Sequence, residues 1–133
     1  PGSPAAEPEG AAEQETGGNE DSSEHNAGSF IVKTALKYME ENYTQKITLA
    51  EVAEKTYVSQ WHLSKLLNGH TGKSFSELLN HIRIEEAKKL LKDPSLRIGD
   101  ISEEVGFMDV AHFSKVFKKL EGISANEYRN SRI

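Results

Sequence analysis

The chain has 133 residues, no cysteine, and a formal net charge of −5 from 16 basic and 21 acidic side chains. That length allows one compact domain or two very small ones sharing a core. The absence of Cys excludes disulfides and thiolate metal sites and fits a reducing, cytoplasmic setting, and no apolar run approaches the roughly 18 residues a membrane span needs.

The charge is unevenly placed. Residues 1–29 hold seven carboxylates and no Lys or Arg, so residues 30–133 hold 21 − 7 = 14 acids against 16 bases, a net of +2. The first 29 residues are rich in Gly, Ala, Glu, Ser and Pro and have no aromatic. Such a segment buries too little apolar area to offset its ordering entropy, so it reads as a disordered acidic linker, or as an arm that competes for a basic face. Pro1-Gly2-Ser3 reads as an expression remnant, and the chain as a piece of a longer protein.

Helical periodicity begins at Phe30. Ile31, Leu36 (with Ala35), Met39 and Tyr43 share a face, predicting a first helix over about 29–42. Thr48 and Glu51 form a capping box for a short helix lined by Leu49, Val52 and Ala53. Ser59 caps a third helix with Leu63, Leu66 and Leu67 inward, and Gly72 stops it. A second capping box, Ser74 with Glu77, opens a long helix over 74–92. Its stripe is Phe75, Leu78, Leu79, Ile82, Ala87, Leu90 and Leu91, Asp93-Pro94 ends it, and its length is roughly 28 Å.

The second half repeats the first. Ile98, Ile101 and Val105 mark a short helix, Gly106-Phe107 a turn, and Asp109 a cap. Phe113, Val116, Phe117 and Leu120 form the next inner face before Gly122, and Ser124 with Glu127 caps a last helix through Tyr128. His62/His112, Ser64/Ser114, Lys65/Lys115, Gly72/Gly122, Ser74/Ser124 and Glu77/Glu127 are identical at one offset of 112 − 62 = 50. This is a duplicated supersecondary unit. The expected fold is all-α with about seven helices: two helix-turn-helix subdomains, about 30–72 and 97–130, joined by the helix over 74–92.

In a helix-turn-helix the second helix enters a major groove. Removing the buried positions leaves Gln60, Trp61, Ser64, Lys65 and Asn68 outward in the first unit. Trp61 lies about 200° from Leu63 and about 120° from Leu67, so it is expected exposed. Gln60, Ser64 and Lys65 can bond base edges, and Trp61 offers apolar contact. In the second unit Val110, Ala111, Ser114 and Lys115 face outward; the first two can meet only methyl groups, so this helix grips backbone more than it reads. Asn68, Lys73, Ser74, Arg97, His112, Lys118, Lys119 and Ser124 are the candidate phosphate contacts. His62 and His112 invite a catalytic or metal reading, but each adjoins a buried position. His81 and Glu85 stand at i, i+4 without a third ligand. No nucleophile elbow, phosphate loop or dinucleotide fingerprint occurs, and no enzyme activity, metal or cofactor is expected. The rival reading is a helical protein-interaction module.

The run Gly106-Phe107, His112-Phe113-Ser114-Lys115, Phe117-Lys118-Lys119, Gly122-Ile123-Ser124 and Tyr128-Arg129 resembles the DNA-binding domain of AraC/XylS-family transcription regulators, over about residues 30–130. Leu49-Ala50-Glu51-Val52-Ala53 and Ser59 through Leu67 resemble that family's first helix-turn-helix. Two positions depart from the pattern: Lys115 where Arg is frequent, and Ala125 where Pro is usual. Lys is a point charge without Arg's bidentate fork, while Pro at the first helical position only pre-sets the helix start. The resemblance implies sequence-specific binding of double-stranded promoter DNA by two helices in successive major-groove segments. It also implies RNA polymerase as a further partner, a missing N-terminal sensor or receiver domain as in response regulators, and a monomeric isolated domain.

Overall fold

A computed structural model describes residues 18–131, with side chains described from Asn26 onward. The described residues form seven helices and no strand: α1 Gly18–Asn42, α2 Leu49–Lys55, α3 Gln60–Thr71, α4 Phe75–Leu90, α5 Ile98–Glu104, α6 Val110–Glu121 and α7 Ala125–Ser131. The fold is the expected one of two helix-turn-helix units, α2–α3 and α5–α6, with α4 between them.

Two cores serve the two units. Val32, Ala35, Met39, Ile47, Val52, Ala53, Leu63, Leu67, Leu78 and Leu79 form the first. Ile84, Ala87, Leu91, Ile101, Val105, Phe107, Phe113, Phe117 and Ala125 form the second. The connecting helix therefore does not carry one stripe: its first half faces one core through Leu78 and Leu79, its second half the other through Ile84, Ala87 and Leu91. This corrects the expected stripe, in which Ile84 was absent; Ile82 is only partly buried. The second core is aromatic. Phe107, Phe113, Phe117 and Tyr128 pack in series with centroids 5.3, 5.8 and 5.6 Å apart, within the range favoured by edge-to-face and tilted pairs.

Two helix boundaries and one burial differ from expectation. Helix α1 starts at Gly18, whereas the sequence placed residues 18–29 in a disordered segment; the rest of that segment, residues 1–17, lies outside the described residues. Once Val32, Ala35 and Met39 are packed, extending the helix backward adds a hydrogen bond per residue fixed, and no proline interrupts residues 18–29. Gly28 also lies close against Leu66 and His70 of α3. Helix α4 ends at Leu90 instead of Lys92. The turn bonds Lys92 N–H to Lys89 O and Asp93 N–H to Leu90 O take over before Pro94, whose ring disfavours helix at the preceding residue. Its sixteen residues span about 24 Å, not the expected 28 Å. Leu120, expected inward, is 42% exposed.

The caps follow the sequence with one change. Ser74 and Glu77 close a reciprocal box: Ser74 N–H donates to Glu77 Oε1 at 2.8 Å and Glu77 N–H to Ser74 Oγ at 3.2 Å. Ser124 and Glu127 do the same at 2.9 and 3.1 Å. The donating Ser74 and Ser124 groups hold both glutamates below the usual carboxylate range. At Thr48 only half the box forms. Glu51 N–H donates to Thr48 Oγ1 at 3.1 Å, but the Glu51 carboxylate accepts from Tyr38 of α1 instead.

Candidate nucleic-acid interface

The two turns are built alike and differ by one residue. In the first, Tyr57 takes a left-handed conformation (φ 62°) and Val58 N–H bonds back to Ala53 O at 3.1 Å. In the second, Gly106 is left-handed (φ 99°) and Phe107 N–H bonds back to Ser102 O at 3.0 Å. These pairs stand 49 apart, yet the caps Ser59 and Asp109 stand 50 apart. The second turn thus holds one additional residue, Met108, between Phe107 and the cap. Both recognition helices then start on a side-chain cap. Ser59 Oγ accepts from His62 N–H at 3.0 Å and Asp109 Oδ1 from Ala111 N–H at 2.9 Å. Both stop on a left-handed glycine, Gly72 and Gly122.

Two arginines anchor the lead-in loops. Arg83 of α4 donates from Nε to Tyr43 O and from Nη2 to Gln45 O, each at 2.9 Å, fixing the loop before α2. Arg129 of α7 donates to Leu91 O at 3.0 Å, Asp93 O at 3.1 Å and Leu96 O at 2.7 Å, fixing the loop before α5. In each unit the helix after the recognition helix clamps the loop before the unit's first helix. The two arginines do not match at the offset of 50, so the repeat in the sequence hid them. Arg83 also stacks on Phe107 at 5.7 Å, and Tyr43 packs against both cores. Gly106, Arg83, Phe107 and Tyr43 thus brace the two units against each other.

The candidate base contacts lie on α3 and α6. Gln60 and Trp61 open α3, both exposed, and Trp61 is 58% exposed with Lys65 Nζ 5.0 Å over its ring. Ser64 is half-buried on the same helix. Val110, Ala111, Ser114 and Lys115 are all exposed on α6.

The candidate phosphate contacts are more mixed. Lys73, Arg97, Lys118 and Lys119 are exposed. Asn68 is exposed but commits one amide hydrogen to Ser64 O at 3.0 Å. Ser74 and Ser124 spend both their N–H groups and their hydroxyls on Glu77 and Glu127, so each hydroxyl must turn from its glutamate to meet a phosphate. His112 is exposed with its ring edge against Phe107 at 5.4 Å. Glu85, the i+4 neighbour of His81, is bonded to Lys88 at 2.8 Å, and no group of three or more His, Asp or Glu that could hold a metal occurs among the described residues.

Two large side chains at the turns escaped the sequence reading. Tyr57 is 94% exposed and Met108 82% exposed, each just ahead of a recognition helix. The one-residue difference in the turns is the signal that would have shown Met108.

The two recognition helices are themselves almost free of acidic side chains, although the caps Asp109, Glu77 and Glu127 lie at helix starts beside them. Helix α3 contains no Asp or Glu, and α6 contains only Glu121, which is paired with Lys88 of α4 at 3.2 Å. The first helices of the units carry the acids instead: Glu51 and Glu54 on α2, Asp100, Glu103 and Glu104 on α5. No described helix is long and apolar enough to cross a membrane.

A helix-turn-helix domain family matches residues 52–131. The C-terminal domain of AraT, a response regulator from Geobacillus stearothermophilus, superposes with a TM-score of 0.73 at 40% identity, over 77% of this chain and 86% of that one. A transcriptional regulator with an AraC-type DNA-binding domain from Chromobacterium violaceum superposes with a TM-score of 0.74 at 28% identity, over 80% and 96%. The lactose operon transcription activator of Staphylococcus xylosus is 39% identical over 99 residues, 74% of this chain and 36% of that protein. The chain spans about a third of the length of the curated relatives it matches. With two capped helix-turn-helix units, a connecting helix and these likenesses together, the chain belongs to the AraC/XylS family and is a helix-turn-helix DNA-binding domain of its transcription regulators.

Proposed function

We propose that this domain binds promoter DNA sequence-specifically by placing α3 and α6 in successive major-groove segments on one face of the duplex. The observation that carries this is the charge segregation: both recognition helices are cleared of unpaired carboxylates, while α2 and α5 hold them. Gln60, Trp61, Ser64 and Lys65 contact base edges, as do Val110, Ala111, Ser114 and Lys115 more weakly. Lys73, Lys118, Lys119, Arg97, Asn68, His112 and the hydroxyls of Ser74 and Ser124 meet phosphates. The connecting helix, at about 24 Å, is shorter than the ~34 Å of one DNA turn. A rigid pair of readers closer than one turn favours DNA that bends toward the protein. The similarity to a response-regulator C-terminal domain supports a receiver domain upstream in the full-length protein, and a promoter-bound regulator would work beside RNA polymerase as its further partner.

Trp61 is the one tryptophan of the chain and sits on the proposed face, so its fluorescence reports binding directly. Titrating duplex DNA at increasing KCl is expected to give log K falling with log salt at a slope of about −4 to −5, for about five neutralised phosphates. No binding at low salt, or binding indifferent to salt, would instead support a protein-interaction module.

A further inference from the structure

We infer that the second recognition helix discriminates among sequences through thymine methyl groups, read by Met108, Val110 and Ala111. This deepens the proposed function and rests on it: it names the chemistry that α6 recognises.

The one additional residue of the second turn is an apolar side chain set out in solvent. Met108 is 82% exposed, and two residues on, Val110 is 46% exposed at the first position of α6, with Ala111 exposed beside it. The turn is held by bonds that use none of these three side chains. Phe107 goes inward onto Phe113, and Asp109 spends its carboxylate on Ala111 N–H. Three apolar groups thus stand at the N-terminal end of the helix, the end that meets base edges in a helix-turn-helix. None of the three can donate or accept a side-chain hydrogen bond of the kind that reads a base edge.

An exposed apolar tip has several imaginable occupants, and its frame selects one. Moving along α6 from Ala111, the exposed polar positions are His112, Ser114, Lys115, Lys118 and Lys119. An apolar tip continuous with three lysines on one short helix is complementary to a polyanion that carries apolar groups between its charges. In the major groove the thymine C5-methyl is that group, flanked by phosphates on both strands. Cytosine, otherwise the matching pyrimidine, presents only an amino donor and a ring C–H there. Met adds what Val and Ala lack, a flexible, polarisable chain that conforms to a methyl at more than one position. The corresponding end of α3 is different: Gln60 and Trp61 bring an amide and an indole N–H. The two helices therefore read by different physics, one by hydrogen bonds and the other by methyl contact.

The test uses the chain with duplexes obtained from it by binding-site selection. Each thymine in the half-site protected by α6 is replaced singly by deoxyuridine, which removes the methyl and keeps every Watson–Crick bond. Burying one methyl-sized group corresponds to about a fourfold change in affinity, so at least one or two such replacements should weaken binding about fourfold each. The same replacements should have little effect in Met108→Ser or Val110→Ser, both exposed positions whose substitution leaves the core intact. Conversely, 5-methylcytosine in place of cytosine at the same step should recover affinity that cytosine loses. If deoxyuridine is tolerated throughout the α6 half-site, or costs the same in the variants as in the parent chain, the inference is wrong even though DNA binding itself stands. A selected α6 half-site without thymine overturns it equally. Failure of any salt-dependent duplex binding removes the proposed function, and this inference with it.

Discussion

Gly106→Ala is expected to be the most damaging small substitution in the domain, costing about 2–5 kcal/mol. Two effects add. At φ 99° any Cβ is strained, and a left-handed conformation costs an L-residue roughly 1–2 kcal/mol. A Cβ built there would also lie 2.5 Å from Tyr43 O, 3.0 Å from Arg83 Nε and 3.2 Å from Thr44 Cα. Two of those three are backbone atoms held by Arg83 itself, so they cannot swing aside, and overpacking a fixed site costs typically about 1–3 kcal/mol. Domains of this size have about 5–15 kcal/mol in total, so much of the stability is at stake. Urea unfolding measures it. Gly72→Ala and Gly122→Ala are the internal comparison: both glycines are left-handed, but nothing lies within 4 Å of an added Cβ. They should lose only the conformational part, about 1–2 kcal/mol. A Gly106→Ala loss no larger than theirs would mean that the contact between the second turn and the end of α1 is loose.

The second large effect is in recognition. Gln60→Ala or Trp61→Ala should each cost about 1–3 kcal/mol on the selected site and flatten preference at one or two base pairs of one half-site. Lys115→Ala should weaken cognate and scrambled duplexes by similar factors, because its point charge reads a base edge only weakly and acts mainly on the nearby backbone charge. Exposure of Gln60 and Trp61 makes a folding defect unexpected, which circular dichroism checks. Trp61→Ala also removes the ring beneath Lys65, so its effect should exceed that of Gln60→Ala. Site selection with each variant decides the division: base preferences erased by Lys115→Ala and untouched by Gln60→Ala would make α6 the hydrogen-bonding reader and α3 the grip.

Much of this architecture is legible in the sequence because caps are local. Ser59, Ser74, Asp109 and Ser124, with glycines at 72 and 122, mark helix ends through bonds made within three or four residues. Trp61 is placed outward by helical geometry alone. What the sequence hides is non-local. Arg83 and Arg129 act across 33 to 40 residues of chain, and nothing near either residue announces a carbonyl partner. The switch of α4 from one core to the other makes Ile84 buried at the expense of Ile82, and a single-face stripe cannot represent it. Glu51 reads as the partner of Thr48 until Tyr38, thirteen residues earlier, takes its carboxylate. Matching the halves at one offset of 50 aligns the recognition helices but conceals that α2 and α5 align at 49. That one residue is Met108, and with it went the apolar tip of α6. Helix α1 was cut short for the opposite reason: composition judged residues 18–29 alone, without the packed helix they continue.

The central claim is that two recognition helices, braced through Gly106, Arg83, Phe107 and Tyr43, engage one face of the duplex together. Its most direct test is the spacing of the half-sites. Footprinting on a selected site should show two protected major-groove segments with centres about one helical turn apart, roughly 10 base pairs. Inserting five base pairs between them turns the second segment to the opposite face, so affinity should fall to that of a single half-site. Unchanged affinity after the insertion would show that the two units bind independently, and would contradict the braced pair.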